Sequence, residues 1–163
     1  MNVKAGRKAP TIKLVEEVCS GSFDISSICK QTLLSDPRTS ATHNLLSLAK
    51  IGLELAITNS TGTRDQIKDM LKNNPNPGKM RTALESCANA YEGIVSSFEG
   101  ALNELSQGEM QGANYDAFIT SDGADYCDKA LALAGAKVDS ISTANQITIN
   151  FSKIGYLVTA PLM

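Results

Sequence analysis

Tryptophan is absent from this chain of 163 residues, and His43 is its only histidine. Chemistry that needs a histidine pair, or several imidazole ligands on one metal, is therefore excluded. A basic excess is missing too: 15 lysines and arginines face 17 aspartates and glutamates, for a formal charge of −2. A general nucleic-acid binder must displace counterions from phosphates and needs the opposite balance. No apolar run approaches the roughly 20 residues that a membrane-spanning helix requires. The chain has no nucleophile elbow, no phosphate loop, no dinucleotide fingerprint and no Glu-x-x-His pair, so nothing calls for a cofactor or a metal. What is there is 42% hydrophobic and 20% charged, the composition of one globular domain with a sizeable core.

Four cysteines stand at Cys19, Cys29, Cys87 and Cys127, and none forms the Cys-x-x-Cys pair of a zinc ribbon or redox site. Their even number points to two disulfides and an oxidising compartment. The stretch from Met1 to Pro10 has no apolar centre and is not an intact signal peptide, so the chain reads as a mature or trimmed form. Asn59-Ser60-Thr61 and Asn150-Phe151-Ser152 have the form of glycosylation sequons, and Asn59 is the candidate acceptor because the second sequon is expected in a packed helix.

Apolar residues recur at helical spacing almost throughout. Met80, Leu84, Cys87, Tyr91, Ile94, Phe98, Leu102 and Leu105 step by threes and fours. The run Asn73-Asn74-Pro75-Asn76-Pro77-Gly78 bars a helix before that stripe, and Ser106-Gln107-Gly108 closes it. Upstream, Thr39 or Ser40 is expected to cap a helix carrying Leu45, Leu48, Leu55, Ile67 and Leu71. Downstream, Ala113, Ala117, Ala124, Cys127 and Leu131 form a third stripe ending at Gly135. Asp139 or Ser140 is expected to cap a fourth with Ile147, Phe151, Ile154 and Val158. Four such helices with short connections predict an all-α, antiparallel up-down four-helix bundle. Two short apolar segments, Ile12–Val18 and Ile25–Leu34, predict a helical hairpin in front of it, with Asp36-Pro37 as the break. The expected organisation is a flexible segment at residues 1–10 and one domain at 11–163, comprising the hairpin (11–36) and the bundle (37–163).

The bundle selects the cysteine pairing. Cys87 lies 21 residues before Gly108 and Cys127 lies 19 after it, so an antiparallel pair of helices turning at that glycine brings them face to face. Cys19 and Cys29 flank the turn of the front hairpin. Loop-closure entropy assigns roughly 3 kcal/mol to the short bridge and roughly 4 kcal/mol to the long one.

No set of residues here amounts to a catalytic centre. His43 is expected in a polar first helical turn, Glu16 and Glu17 on a solvated face, and Asp122, Asp125 and Asp128 in a surface row without the opposed environments that acid–base work needs. Gly108-Glu109-Met110-Gln111-Gly112 follows no strand and reads as a helix–helix turn, while Met70, Met80 and Met110 read as fillers. A disulfide-clipped bundle of this kind works through its surface, because a rigid helical face loses little entropy on docking.

Several fragments in order carry a resemblance. Val15-Glu16-Glu17-Val18-Cys19, Cys29-Lys30-Gln31-Thr32-Leu33 and Leu34-Ser35-Asp36-Pro37-Arg38 resemble the front hairpin and exit of the plant invertase and pectin methylesterase inhibitor family. Leu84-Glu85-Ser86-Cys87-Ala88-Asn89-Ala90-Tyr91 resembles its third-cysteine helix, and Asp122-Gly123-Ala124-Asp125-Tyr126-Cys127 the approach to its fourth cysteine. The resemblance implies the same fold and pairing, secretion to the plant cell wall, and inhibition of an enzyme without any reaction of its own. The family's invertase inhibitors carry Pro-Lys-Phe just after the loop glycine, where this chain has Met110, Gln111 and Gly112. The resemblance therefore favours pectin methylesterase as partner, with a helical face laid over the substrate cleft in a one-to-one complex. Acid invertase is the alternative target, and a non-inhibitory secreted bundle, such as a ligand carrier or pollen surface protein, the second alternative. The carried-over contact residues are Asn114, Thr120, Asp122 and Tyr126. A monomer is expected, with hairpin exchange between copies as the other arrangement.

Overall fold

The structure, a computed structural model, describes the chain apart from Met1, Asn2 and Phe23, and for residues 3–10 describes the backbone alone. The helices are α1 (Val3–Cys19), α2 (Ser26–Ser35), α3 (Leu45–Lys72), α4 (Lys79–Gln107), α5 (Met110–Phe118), α6 (Thr120–Leu133) and α7 (Asp139–Thr159). Short 3₁₀ turns lie at Pro37–Ala41 and Ala160–Leu162, and there is no strand among the described residues. Packing runs in a ring: α3 on α4, α4 on α5 and α6, these on α7, and α7 back on α3. This is the four-helix bundle, with α5 and α6 together making its third rod. The backbone of α1 is helical well before Ile12, where the apolar pattern begins. The flexible segment expected at residues 1–10 concerns side chains outside the described residues.

Both predicted bridges are present. Cys87 and Cys127 join α4 to α6 with Cα atoms 4.5 Å apart, and Cys19 and Cys29 join α1 to α2 at 5.6 Å. The front hairpin lies on its own bundle. Val15, Val18, Cys19, Ile25, Cys29 and Leu33 belong to the same buried cluster as Leu48, Leu53, Phe98 and Val158. Polar ties fix its position: Thr11 Oγ1 donates to the Thr42 carbonyl (2.9 Å), Thr39 Oγ1 to the Leu33 carbonyl (2.5 Å), and Lys153 of α7 pairs with Asp24. The Asp36 side chain accepts from the Arg38 amide (2.8 Å) and caps the 3₁₀ turn at the hairpin exit.

Three boundaries differ from the sequence expectation. Helix α3 is capped by Asn44, whose Oδ1 accepts from the Ser47 amide (2.9 Å), while Thr39 and Ser40 sit in the 3₁₀ turn and bond carbonyls instead. His43 accordingly precedes α3, exposed, instead of occupying its first turn. Val138 precedes α7 and no side chain caps it; Asp139 falls inside the first turn, where its charge favours the positive end of the helix dipole. The third rod is broken at Ile119. There Thr120 Oγ1 donates to the Ala117 carbonyl (2.7 Å), and the Phe118 carbonyl receives both Ser121 Oγ (3.1 Å) and Ser152 Oγ of α7 (2.7 Å). Hydroxyls have taken carbonyls that the helix would otherwise use, the usual origin of a bend.

Candidate functional site

The five residues of the third stripe, Ala113, Ala117, Ala124, Cys127 and Leu131, are all buried. Their burial forces the other side of α5 and α6 outward. Tyr115 is 64% exposed, Phe118 53%, Tyr126 58% and Leu133 87%. Asp122 is exposed between them, and steps of three and four along the rods keep Tyr115, Phe118, Asp122 and Tyr126 on one side. Phe118 also meets Tyr156 of α7 in a tilted pair, ring centres 5.6 Å apart, so the apolar surface crosses from one helix to the next. Three of the chain's four tyrosines, Tyr115, Tyr126 and Tyr156, thus lie exposed on this side.

At its far end the surface opens into a groove of about 690 Å³ between the start of α4 and the end of α6. Tyr126, Ala83, Ala130 and Leu133 supply its apolar lining, and Lys79 and Lys129 stand at its rim. An array of exposed aromatics on a rigid support is the usual anchor of a protein interface, since Tyr and Phe offer large contact area with few rotatable bonds.

Of the four carried-over contact residues, the structure places only Asp122 and Tyr126 on the surface. Asn114 is 8% exposed and works inward, its Nδ2 donating to the Tyr156 carbonyl (3.1 Å) and to Thr159 Oγ1 (3.0 Å). Thr120 is 2% exposed and holds the Ile119 break. Both shape the surface from below and neither is free to touch a partner. Tyr115, Phe118, Leu133 and Tyr156 are the exposed residues that the sequence reading did not assign. Their signal was present: each is a large side chain lying off its helix's buried positions.

Met110, Gln111 and Gly112 form the first turn of α5 and, with Glu109, Leu162 and Met163, border a shallow hollow of about 420 Å³. Asn59 sits half-buried midway along α3 and lines a groove with Thr63, Gln66, Ser140, Thr143 and Ile147. Among the described residues no cluster of histidine, cysteine, aspartate or glutamate could hold a metal ion. No helix among them is long and apolar enough to cross a membrane.

Known proteins share this architecture. A pectin methylesterase inhibitor from Arabidopsis, solved as its mutant form A, superimposes with a TM-score of 0.76 at 23% identity, over 88% of this chain and 93% of that one. A second crystal structure of a pectin methylesterase inhibitor from Arabidopsis thaliana gives 0.69 at 22% identity, over 93% and 97%. Both likenesses concern the fold. In sequence, Pectinesterase inhibitor 2 of Arabidopsis thaliana is 28% identical over 131 residues, 80% of this chain and 73% of that protein. The pectinesterase inhibitor of Actinidia deliciosa is 28% identical over 123 residues, 73% of this chain and 65% of that protein. A family model described as Plant invertase/pectin methylesterase inhibitor matches residues 13–154, and the chain belongs to that family.

Proposed function

We propose that this protein is a secreted inhibitor of a pectin methylesterase, acting by occlusion. The α5–α6 face lies across the substrate cleft, excludes the polysaccharide and carries out no reaction. The observation that carries this reading is the ridge of Tyr115, Phe118 and Tyr126 held outward on a rod that Cys87–Cys127 pins to α4. Preformed aromatics of this kind bind without first being ordered. Asp122 sits among them as a polar contact, and the protein acts as a monomer in a one-to-one complex. A glycan on Asn59 would not interfere, because α3 packs on α4 and α7, diagonally across the bundle from α6. Extracellular placement, in the cell wall, agrees with the two disulfides and with the names of the relatives in sequence.

Titrating purified protein against a pectin methylesterase, and in parallel against a cell-wall invertase, tests the proposal. Esterase activity should fall linearly to an endpoint at one equivalent. The double variant Tyr115→Ala/Phe118→Ala should weaken inhibition at least about 30-fold, the effect of losing roughly 2 kcal/mol of anchor contact. Inhibition of invertase alone would move the assignment to the other branch of the family. Silence toward both enzymes would leave a non-inhibitory bundle.

A further inference from the structure

Helices α4 and α5 double back at Gly108, whose φ of +81° belongs to the left-handed region that glycine favours. Around that pivot the sequence is mirrored. Four residues before it stands Glu104 and four after it Gly112; eight before it stands Gly100 and eight after it Asp116. Each helix therefore presents a glycine and a carboxylic acid one turn apart, and each acid lies over the other helix's glycine. A Cβ on Gly112 would overlap the Glu104 carboxyl, and one on Gly100 would lie 3.3 Å from Asp116 Oδ2. The two acids meet in the gap that the glycines leave, where Glu104 Oε2 is sealed from solvent and has no hydrogen-bond donor. Among the described residues it is the sole buried side-chain oxygen or nitrogen in that condition.

We propose that one proton shared between Glu104 and Asp116 latches the α4–α5 corner, so that acid holds the corner closed and neutral pH releases it. Two ionised carboxylates packed into one gap repel, whereas one proton turns the pair into an O–H donor and its acceptor. The groups that act on Glu104 are Asp116 from α5 and Glu109 from the turn, both acidic. No lysine or arginine of α3, α6 or α7 offsets them. The hydrogen bond that a protonated carboxyl makes with Asp116, then burial, then the charges of Asp116 and Glu109 push the Glu104 carboxyl up to about 7. A folded value above the unfolded one makes the latch fully effective below the ordinary carboxylate range, near pH 4.5, and progressively lost as pH rises to 7. Helix α5 carries Tyr115 and Phe118, so release would also disorder the aromatic ridge; that consequence alone rests on the docking reading above.

The test uses thermal melting and amide hydrogen exchange on the isolated protein at pH 4.5, 6 and 8. The protein should melt about 3–6 °C lower at pH 8 than at pH 4.5, and exchange across residues 104–118, corrected for its intrinsic pH dependence, should rise about tenfold. In Glu104→Gln the amide donates to Asp116 without needing a proton, so both dependences should flatten. Asp116→Asn supplies the same test from the other side if the first variant folds poorly. The carboxylates of Asp24, Asp36 and Glu92 are held below their ordinary range by Lys153, Arg38 and Lys68, so their contribution to stability grows as pH rises, opposite in sign to the latch. A pH response that persists unchanged in both variants, or is absent from the unmodified protein, overturns the latch. Neither readout involves a target enzyme, so this result and the inhibition result stand or fall separately.

Discussion

Tyr91 is the largest fully buried side chain, and its hydroxyl is placed where α4, α6 and α7 converge. It donates to Asn145 Oδ1 (2.8 Å) and lies 2.9 Å from Thr148 Oγ1, while Asn145 Nδ2 donates to Asp128 Oδ1 of α6 (2.6 Å). Removing the hydroxyl leaves the asparagine carbonyl buried without its donor. Tyr91→Phe should therefore cost about 1–2 kcal/mol, read as a lower urea midpoint with an unchanged m-value. Burial also pushes the Tyr91 phenol up to about 12. Because the folded value is the higher one, the phenol favours folding below pH 10 and loses that advantage between 10 and 12. At about pH 11 the folded protein should keep this phenol un-ionised, and adding urea should release an absorbance step from it. Periodicity placed Tyr91 in the core correctly. It could not name the partners, because an asparagine and a threonine score as surface until a buried hydroxyl makes them interior.

The same limit operates on whole helices. In α5 and α6 every residue of the expected stripe is buried, since alanine and cysteine mark the seam without ambiguity. In α7 the expected stripe was Ile147, Phe151, Ile154 and Val158; Ile154 and Val158 are buried, whereas Ile147 is 37% exposed and Phe151 only half-buried. Beside Ile154 and Val158, the buried face of α7 includes Ile141, Asn145, Thr148, Ser152, Gly155 and Thr159, at steps of four and three. Its polar members are satisfied internally and its glycine sets the spacing, so hydrophobicity alone found Ile154 and Val158 but missed the polar and small part of the seam. A similar run of small residues, Ala49, Ala56, Ser60 and Thr63, lines α3. At Gly155 helix α7 comes close to α5: a Cβ there would lie 2.8 Å from that of Ala117. Gly155→Ala should lower stability by about 1–2 kcal/mol despite alanine's better helix propensity, a drop of about 3–6 °C in Tm. Gly62→Ala makes the same change in α3, where nothing lies within 4 Å of the new methyl group, and should raise stability by about 0.5–1 kcal/mol. Opposite signs from one chemical substitution would separate close approach from backbone entropy. Equal signs would refute the account of α7.

At the scale of the molecule, the two disulfides perform different tasks. Cys87–Cys127 closes a separation of 40 residues between rods that already pack along their length. Cys19–Cys29 closes a separation of only 10, but it joins the helices whose Val15, Val18 and Leu33 complete the core beside Gly52, Leu157 and Val158. The cysteine positions made this division legible in sequence. The docking of the hairpin on its own bundle was not, because it depends on scattered ties such as Thr39 to Leu33 and Lys153 to Asp24. Replacing both members of each pair by alanine should tell the two bridges apart. Cys87→Ala/Cys127→Ala should lower the global unfolding free energy by about 4 kcal/mol and accelerate exchange throughout α3, α4, α6 and α7. Cys19→Ala/Cys29→Ala should lower it by about 3 kcal/mol at most. Its faster exchange should concentrate in residues 11–41 and in the α7 segment around Leu157, which the hairpin covers. Uniform acceleration in the second variant would mean that hairpin and bundle unfold as one unit, and that the short bridge, too, stabilises the whole molecule.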